Sequence, residues 1–207
     1  NALEQLLPII SDSKLELVSR EDLFLNITYD IDRQILEKSK LQPDLSGMGT
    51  TLTALSILDK NIELLHIGDS RCYRYRDKKL EQLSYDHTVM QELLDQGRLT
   101  PEEVFDHPQR SLLTQALMGD SGLDPVLVSY EIKKGDKFLL CSDGLTNVLS
   151  NYEINKIIEA TEDSKVAAAL ITEVLSKGAP DNITIIWSEV IQSDQDNLVK
   201  KLGSANE

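Results

Sequence analysis

Three aspartates stand where apolar runs of the chain end or begin. Asp69 follows Leu64-Leu65-His66-Ile67-Gly68. Asp143 follows Phe138-Leu139-Leu140-Cys141-Ser142 and precedes Gly144, and Asp181 lies between Pro180 and an apolar run that opens at Ile183. Each has a Gly or Pro neighbour, which lets the backbone turn sharply and present a carboxylate at the mouth of a core. If the three ends converge, their like charges cannot all stay ionised without protons or a cation. An all-oxygen ligand set suits a hard cation such as Mg²⁺ or Mn²⁺, not zinc. The competing explanation is local: Asp-Gly and Asp-Asn are tolerant turn pairs, and spacing alone does not separate the two.

Other chemistry-bearing residues carry weaker patterns. Ser70 next to Asp69, with His66 close by, has the makings of a hydrolase nucleophile. However, no G-x-S-x-G elbow is present, and alternation along a strand sends adjacent side chains to opposite faces. His66, in a strand, and His87, at a helix start, are expected to be structural. His107 and Arg110 sit in a loop and are candidates for substrate contact, with capping or packing as the equal alternative. Arg71 is expected to hold a neighbouring carboxylate, and Trp187 to pack on a strand face.

The elements that must position these residues follow from periodicity. Ser19 and Asp22 are spaced as a capping box, and Leu23, Ile27, Ile31 and Ile35 recur at helical spacing to about Lys40. Pro43 and Gly47 mark a loop. Residues 50–58 and 62–67 are expected as paired strands, and 71–75 with 79–83 as a second hairpin around Arg76-Asp77-Lys78. A helix is expected over 87–94, ended by Gly97, and a short one from Thr100-Pro101 with Pro at its first position. Residues 97–122 have no long apolar run and read as an excursion from the core. Strands resume at 126–132 and 138–141, followed by helices at 151–160 and 164–177 and a last strand at 183–191. Residues 192–207 are polar without clear period and read as a tail or linker. The fold class expected is α+β: two stacked, mainly antiparallel sheets flanked by helices, an α-β-β-α sandwich.

Composition bounds the function. The 207 residues carry 21 Lys+Arg against 35 Asp+Glu, a formal net charge of −14, with 41% hydrophobic side chains. Such a field repels nucleic acid and anionic lipid, and no apolar run approaches the ~20 residues of a membrane-spanning helix. Cys72 and Cys141, both in apolar strands, read as buried thiols of a reducing compartment, so a cytoplasmic location is expected. The chain opens at Asn1 within a helical run over residues 2–7, so a preceding segment is expected.

Six short motifs, in order, bring these readings together. Gly47-Met48-Gly49-Thr50-Thr51, Gly68-Asp69-Ser70-Arg71, Asp86-His87-Thr88, His107-Pro108-Gln109-Arg110, Cys141-Ser142-Asp143-Gly144-Leu145 and Pro180-Asp181-Asn182-Ile183-Thr184 resemble the metal-dependent protein phosphatases of type 2C. The likeness is greatest to the bacterial serine/threonine branch and runs over about residues 1–190. It implies a phosphatase-like domain over 1–191, with a mobile flap at about 94–118 that bears on substrate choice. It also implies two core Mg²⁺ or Mn²⁺ ions, and a third, weaker site in bacterial members. By the resemblance Asp143 and Asp181 hold the first metal and Asp69 with Asp143 the third, while Asn182 and Gly144, each following a ligand, orient it. The implied reaction is metal-assisted hydrolysis of phosphoserine and phosphothreonine in proteins by an activated water, without a phosphoenzyme. The implied partners are phosphorylated proteins, a Ser/Thr protein kinase among them, met by a monomer. The chain departs from the family pattern in having neither the N-E-D motif nor D-G-M-G-G-H, so no residue present takes the role of the acid that bridges the core metals. A catalytically inactive domain that binds a partner protein is therefore the alternative, discriminated by whether those motifs precede Asn1 in the encoded protein.

Overall fold

The computed structural model describes residues 17–58, 60–105, 107–119, 122–192 and 197–206; the helical run expected over 2–7 lies outside them. Two antiparallel sheets carry the fold, each with helices of its own. One has the order β1 (Leu52–Leu58), β2 (Asn61–Ile67), β5 (Val126–Glu131); the other has the order β4 (Lys79–Gln82), β3 (Arg71–Arg76), β6 (Lys137–Cys141), β7 (Thr184–Gln192), β8 (Asn197–Asn206). The chain divides into two compact units, one comprising Asn1–Gly68, His87–Thr100 and Pro108–Glu131, the other Asp69–Asp86, Pro101–His107 and Ile132–Glu207.

In the first unit, helix α1 (Leu17–Leu41) is already running at Leu17, ahead of the Ser19 suggested as its cap. Its apolar stripe, Phe24 and Ile31 with Leu23, Ile27 and Ile35, packs on Leu65, Ile67, Leu52, Ala54 and Leu127 of the sheet. That sheet pairs β1 (Leu52–Leu58) with β2 (Asn61–Ile67) in the register Leu52↔Ile67, and β2 with β5 (Val126–Glu131). Leu65 and Ile67 face the helix, and the other face of β2, with Ile62, Leu64 and His66, is buried as well. Helix α2 (Val89–Asp95) is capped by Thr88, whose hydroxyl accepts from Gln91 N–H.

In the second unit, β3 (Arg71–Arg76) and β4 (Lys79–Gln82) form the expected hairpin. Its turn residues Asp77 and Lys78 have φ of 51° and 63°, the left-handed pair that matches strand twist in a two-residue turn. β6 (Lys137–Cys141) lies between β3 and β7 (Thr184–Gln192). Behind these strands pack α5 (Asn151–Ala160), opened by a full Ser150/Glu153 capping box, and α6 (Val166–Ser176). Ile154, Ile158, Val166, Leu170 and Val174 close over Tyr73, Leu139, Ile185 and Trp187 in one core. Cys72 and Cys141 are buried free thiols. Short α3 (Pro101–Phe105) begins with its proline, as expected.

Two stretches differ from the sequence reading. Residues 197–206, expected as part of a polar tail, form β8 (Asn197–Asn206), antiparallel to β7 with an irregularity at Trp187/Ser188. Main-chain pairing satisfies the edge of β7 without requiring an apolar alternation in the added strand. Residues 143–146, to which the sequence reading gave no element, form a single helical turn, α4 (Asp143–Thr146).

Candidate metal centre

All three aspartates belong to the second unit, at ends of its strands or just before them. Asp69 lies in the connector between β2 and β3. Gly68 before it adopts φ +104°, and a Cβ there would meet Thr51 Cγ2 at 2.3 Å, so only glycine allows the chain to turn at this point. The His87 backbone N–H donates to Gly68 O at 2.8 Å, and the Gly68 N–H donates to His87 Nδ1 at 3.1 Å. His87 is thus a structural residue, as expected.

Asp143 opens α4, where its carboxylate accepts from Asn147 Nδ2 at 3.0 Å. Gly144 explains why this turn sits against the segment bearing Asp181. A Cβ on Gly144 would fall 2.2 Å from Asn182 O and 3.4 Å from Ile183 Cγ1. Ser142, which carried no signal of its own in the sequence, ties the same two segments together. Its N–H donates to Thr184 O at 3.0 Å, and its hydroxyl donates to Asn182 O at 3.3 Å and accepts from Thr184 N–H at 3.0 Å. Asn182 N–H donates to Asp181 Oδ1 at 2.7 Å, fixing that carboxylate relative to its own backbone.

The electrostatics join the acids in sequence. Asp69 is pushed up to about 6 by burial and then by the charges of Asp143 and Asp86, against which its own N–H and Arg71 act. Asp143 is raised by burial and then by Asp181, partly offset by the Gly144 N–H and the Asn147 amide. Asp143 is therefore the middle member, coupled to Asp69 on one side and Asp181 on the other. The arrangement is two overlapping pairs: among the described residues no three acidic, His or Cys side chains close into one ligand cage. Buried carboxylates raised by a neighbouring acid, as Asp69 and Asp143 are, are short of positive charge, and carboxylate oxygens are the ligands a hard divalent cation takes. The residues present fit such an ion.

Arg71 does hold a carboxylate, that of Asp86, through contacts at 2.6–3.0 Å. Asp86, quoted for its motif alone, is the acid that sequence reasoning missed. The only available signal was its place in the Asp86-His87-Thr88 motif. His66 lies with its ring centroid 5.1 Å from that of His87 and its Nδ1 2.9 Å from Thr53 Oγ1, buried and structural. Ser70 stands on the connector beside Asp69, with no nucleophile elbow around it. His107 follows α3, its N–H donating to Val104 O at 3.1 Å, and Arg110 is half-buried further along the excursion.

Comparison with known proteins identifies the family. The family model for protein phosphatase 2C matches residues 1–184. The serine/threonine protein phosphatase PstP of Mycobacterium tuberculosis is 44% identical over 160 residues, which are 77% of this chain and 31% of PstP. Protein phosphatase PhpP of Streptococcus pneumoniae is 34% identical over 186 residues, 88% of this chain and 75% of PhpP. The chain thus spans about a third of the length of PstP. The crystal structure of the M. tuberculosis serine/threonine phosphatase PstP/Ppp superposes with a TM-score of 0.82 at 38% identity, covering 92% of this chain and 80% of that one. A PstP catalytic domain in complex with two manganese ions gives 0.78 at 34% identity, over 92% and 81%. Two antiparallel sheets with their flanking helices, the order of the six motifs and the family match over residues 1–184 lead to one assignment: this chain belongs to the protein phosphatase 2C family.

Proposed function

We propose that the protein hydrolyses phosphoserine and phosphothreonine esters of proteins with the help of Mg²⁺ or Mn²⁺. The observation that carries this reading is the run Asp69–Asp143–Asp181 at neighbouring strand ends, in which the charge of Asp143 raises Asp69 and that of Asp181 raises Asp143, with the Asp143 and Asp181 segments held together at Gly144 and Ser142. Asp143 and Asp181 would hold one cation, and Asp69 with Asp143 another. Gly144 lets the two ligand segments approach, and Asn182 fixes Asp181 through its own N–H. A bound divalent cation would polarise the phosphoryl group and make a nucleophilic water available near neutral pH. The chain's own part is to keep the carboxylates ionised, apart and correctly aimed; Asn147 does this for Asp143. His107 and Arg110 would meet the phosphoprotein from the flap. The names of the relatives favour turnover over the alternative of an inactive partner-binding domain.

Phosphorylated proteins, a Ser/Thr kinase among them, are the partners this reading implies, met in the cytoplasm by a monomer. The net charge of −14 speaks against nucleic acid, and among the described residues no helix is long and apolar enough to cross a membrane. The test is Mn²⁺-dependent release of phosphate from a phosphothreonine peptide. Asp143→Asn should abolish it while leaving the circular dichroism spectrum intact, and undiminished turnover would refute the ligand assignment.

A further inference from the structure

Arg71 is the nearest cation in sequence to Asp69, yet its guanidinium is committed elsewhere. Its Nε donates to Asp86 Oδ1 and Oδ2 at 3.0 and 2.8 Å, and Nη2 donates to Oδ2 at 2.6 Å. Nη1 donates to the Tyr73 hydroxyl at 3.1 Å, which in turn donates to Asn151 Oδ1 at 2.9 Å. Gln82 Nε2 steadies the other partner, donating to Asp86 Oδ1 at 2.8 Å and to Ser84 O at 3.0 Å. The pair is largely out of water, the Arg71 and Asp86 side chains being 25% and 7% exposed, and Tyr73 is fully buried. Asp69 stands two residues before Arg71, on the bend that leads into β3. Asp69 already feels the charge of Arg71, although that charge is largely neutralised by Asp86.

A guanidinium is a strong, planar competitor for carboxylate oxygens. Freed from Asp86, Arg71 would have Asp69 as its next partner. It would then occupy the lone pairs a cation needs and add a repulsive charge at short range. We infer that Asp86 is a positioning residue that withholds Arg71 from Asp69 and so keeps Asp69 open to a divalent cation. The inference rests on the proposed role of Asp69 as a ligand, and it assigns to the Asp86-His87-Thr88 motif a purpose that packing alone does not supply.

Calorimetric titration with Mn²⁺ alone tests it on the parent chain, Asp86→Asn, Arg71→Met and the double variant. Asp86→Asn should weaken binding roughly tenfold or more, a shift of ordinary coupling size. Arg71→Met should bind at least as tightly as the parent. The double variant, which lacks the competitor and leaves no charge of the pair buried alone, should return to within about threefold of the parent. A double variant as weak as Asp86→Asn, or Asp86→Asn at parent affinity, overturns the inference while leaving Asp69 a ligand. A parent chain that binds no Mn²⁺ overturns the ligand reading itself, and this inference with it. If Asp86→Asn does not fold, Tyr73→Phe loosens the same clamp without stranding a charge. It should weaken binding by a few-fold, and an unchanged isotherm from it counts against the clamp.

Discussion

An added methyl group at residue 144 would fall 2.2 Å from Asn182 O, a main-chain atom that cannot rotate away. Gly144→Ala must therefore push the Asp143 turn off the segment that carries Asp181. Overpacking of this kind costs about 1–3 kcal/mol, and here it also moves two proposed ligands apart. The expected outcome is a lower Tm together with a large loss of Mn²⁺ affinity. Gly178→Ala is the control, because Gly178 has φ +100° but nothing within 4 Å of the methyl that alanine would add. Its cost should be the conformational one alone, about 1–2 kcal/mol, with the Mn²⁺ isotherm unchanged. Equal metal affinity in both variants would mean that the Gly144 contact does not set the site. At this scale glycine matters for the atoms it leaves out, which is why Asp-Gly by itself read more readily as a turn than as a ligand motif.

The elements were largely legible, and the reasons are physical. The helix expected at 151–160 is α5 to the residue, opened in the structure by the Ser150/Glu153 capping box, and the turn expected around Asp77-Lys78 joins β3 to β4. β8 was missed because a strand held by main-chain bonds to β7 needs no apolar period of its own. Ser142 was missed because its bonds cross to residues 182–184, some forty positions away. The excursion shows the same limit. Sequence marked it as lacking a core but gave no sign of how firmly its far end is fastened. Thr88 bridges Leu113, Thr50 bridges Leu117, and the buried Asp32 of α1 accepts from the N–H groups of Met118 and Gly119 at 2.8 and 2.7 Å. Asp32→Ala would strand two amides, at roughly 1–3 kcal/mol each if they stay dry. Thermal denaturation should show the loss, and hydrogen exchange should show faster exchange at residues 117–119; unaltered exchange there would dismiss Asp32 as an anchor. Replacing residues 98–111 between these fastenings should alter selectivity among phosphopeptides more than hydrolysis of a small aryl phosphate. Equal effects on both would count against substrate contact by His107 and Arg110.

For the molecule as a whole, the charge excess becomes a question of acid stability. Asp136 is buried at the turn leading into β6, where it accepts from Arg76 Nε and Nη2 at 2.6 and 2.5 Å and from Lys133 N–H at 2.7 Å. Burial alone would raise its pKa. The Arg76 hydrogen bonds, the Lys133 N–H and the charges of Arg76 and Arg74 outweigh it and hold the carboxyl below its ordinary 3.8. A carboxylate whose folded pKa is depressed stabilises the fold above its unfolded pKa, and the contribution is lost as pH falls through the folded value. Glu153, held at about 2 by Lys177 and the Ser150 cap, acts in the same direction between about 4.5 and 2. It is largely in water and counts for less. Asp136→Asn isolates the first contribution. Near neutral pH it removes the carboxylate that faces Arg76, a quarter exposed, and should cost about 3 kcal/mol, the lower end for breaking a buried pair. Below pH 3.8 the parent carboxyl itself takes up a proton and comes to resemble the amide, so the gap in Tm between parent and variant should narrow steadily there. A gap that stays constant from about pH 6 to about pH 3 would show that the Asn substitution acts through packing, not through the Asp136 charge.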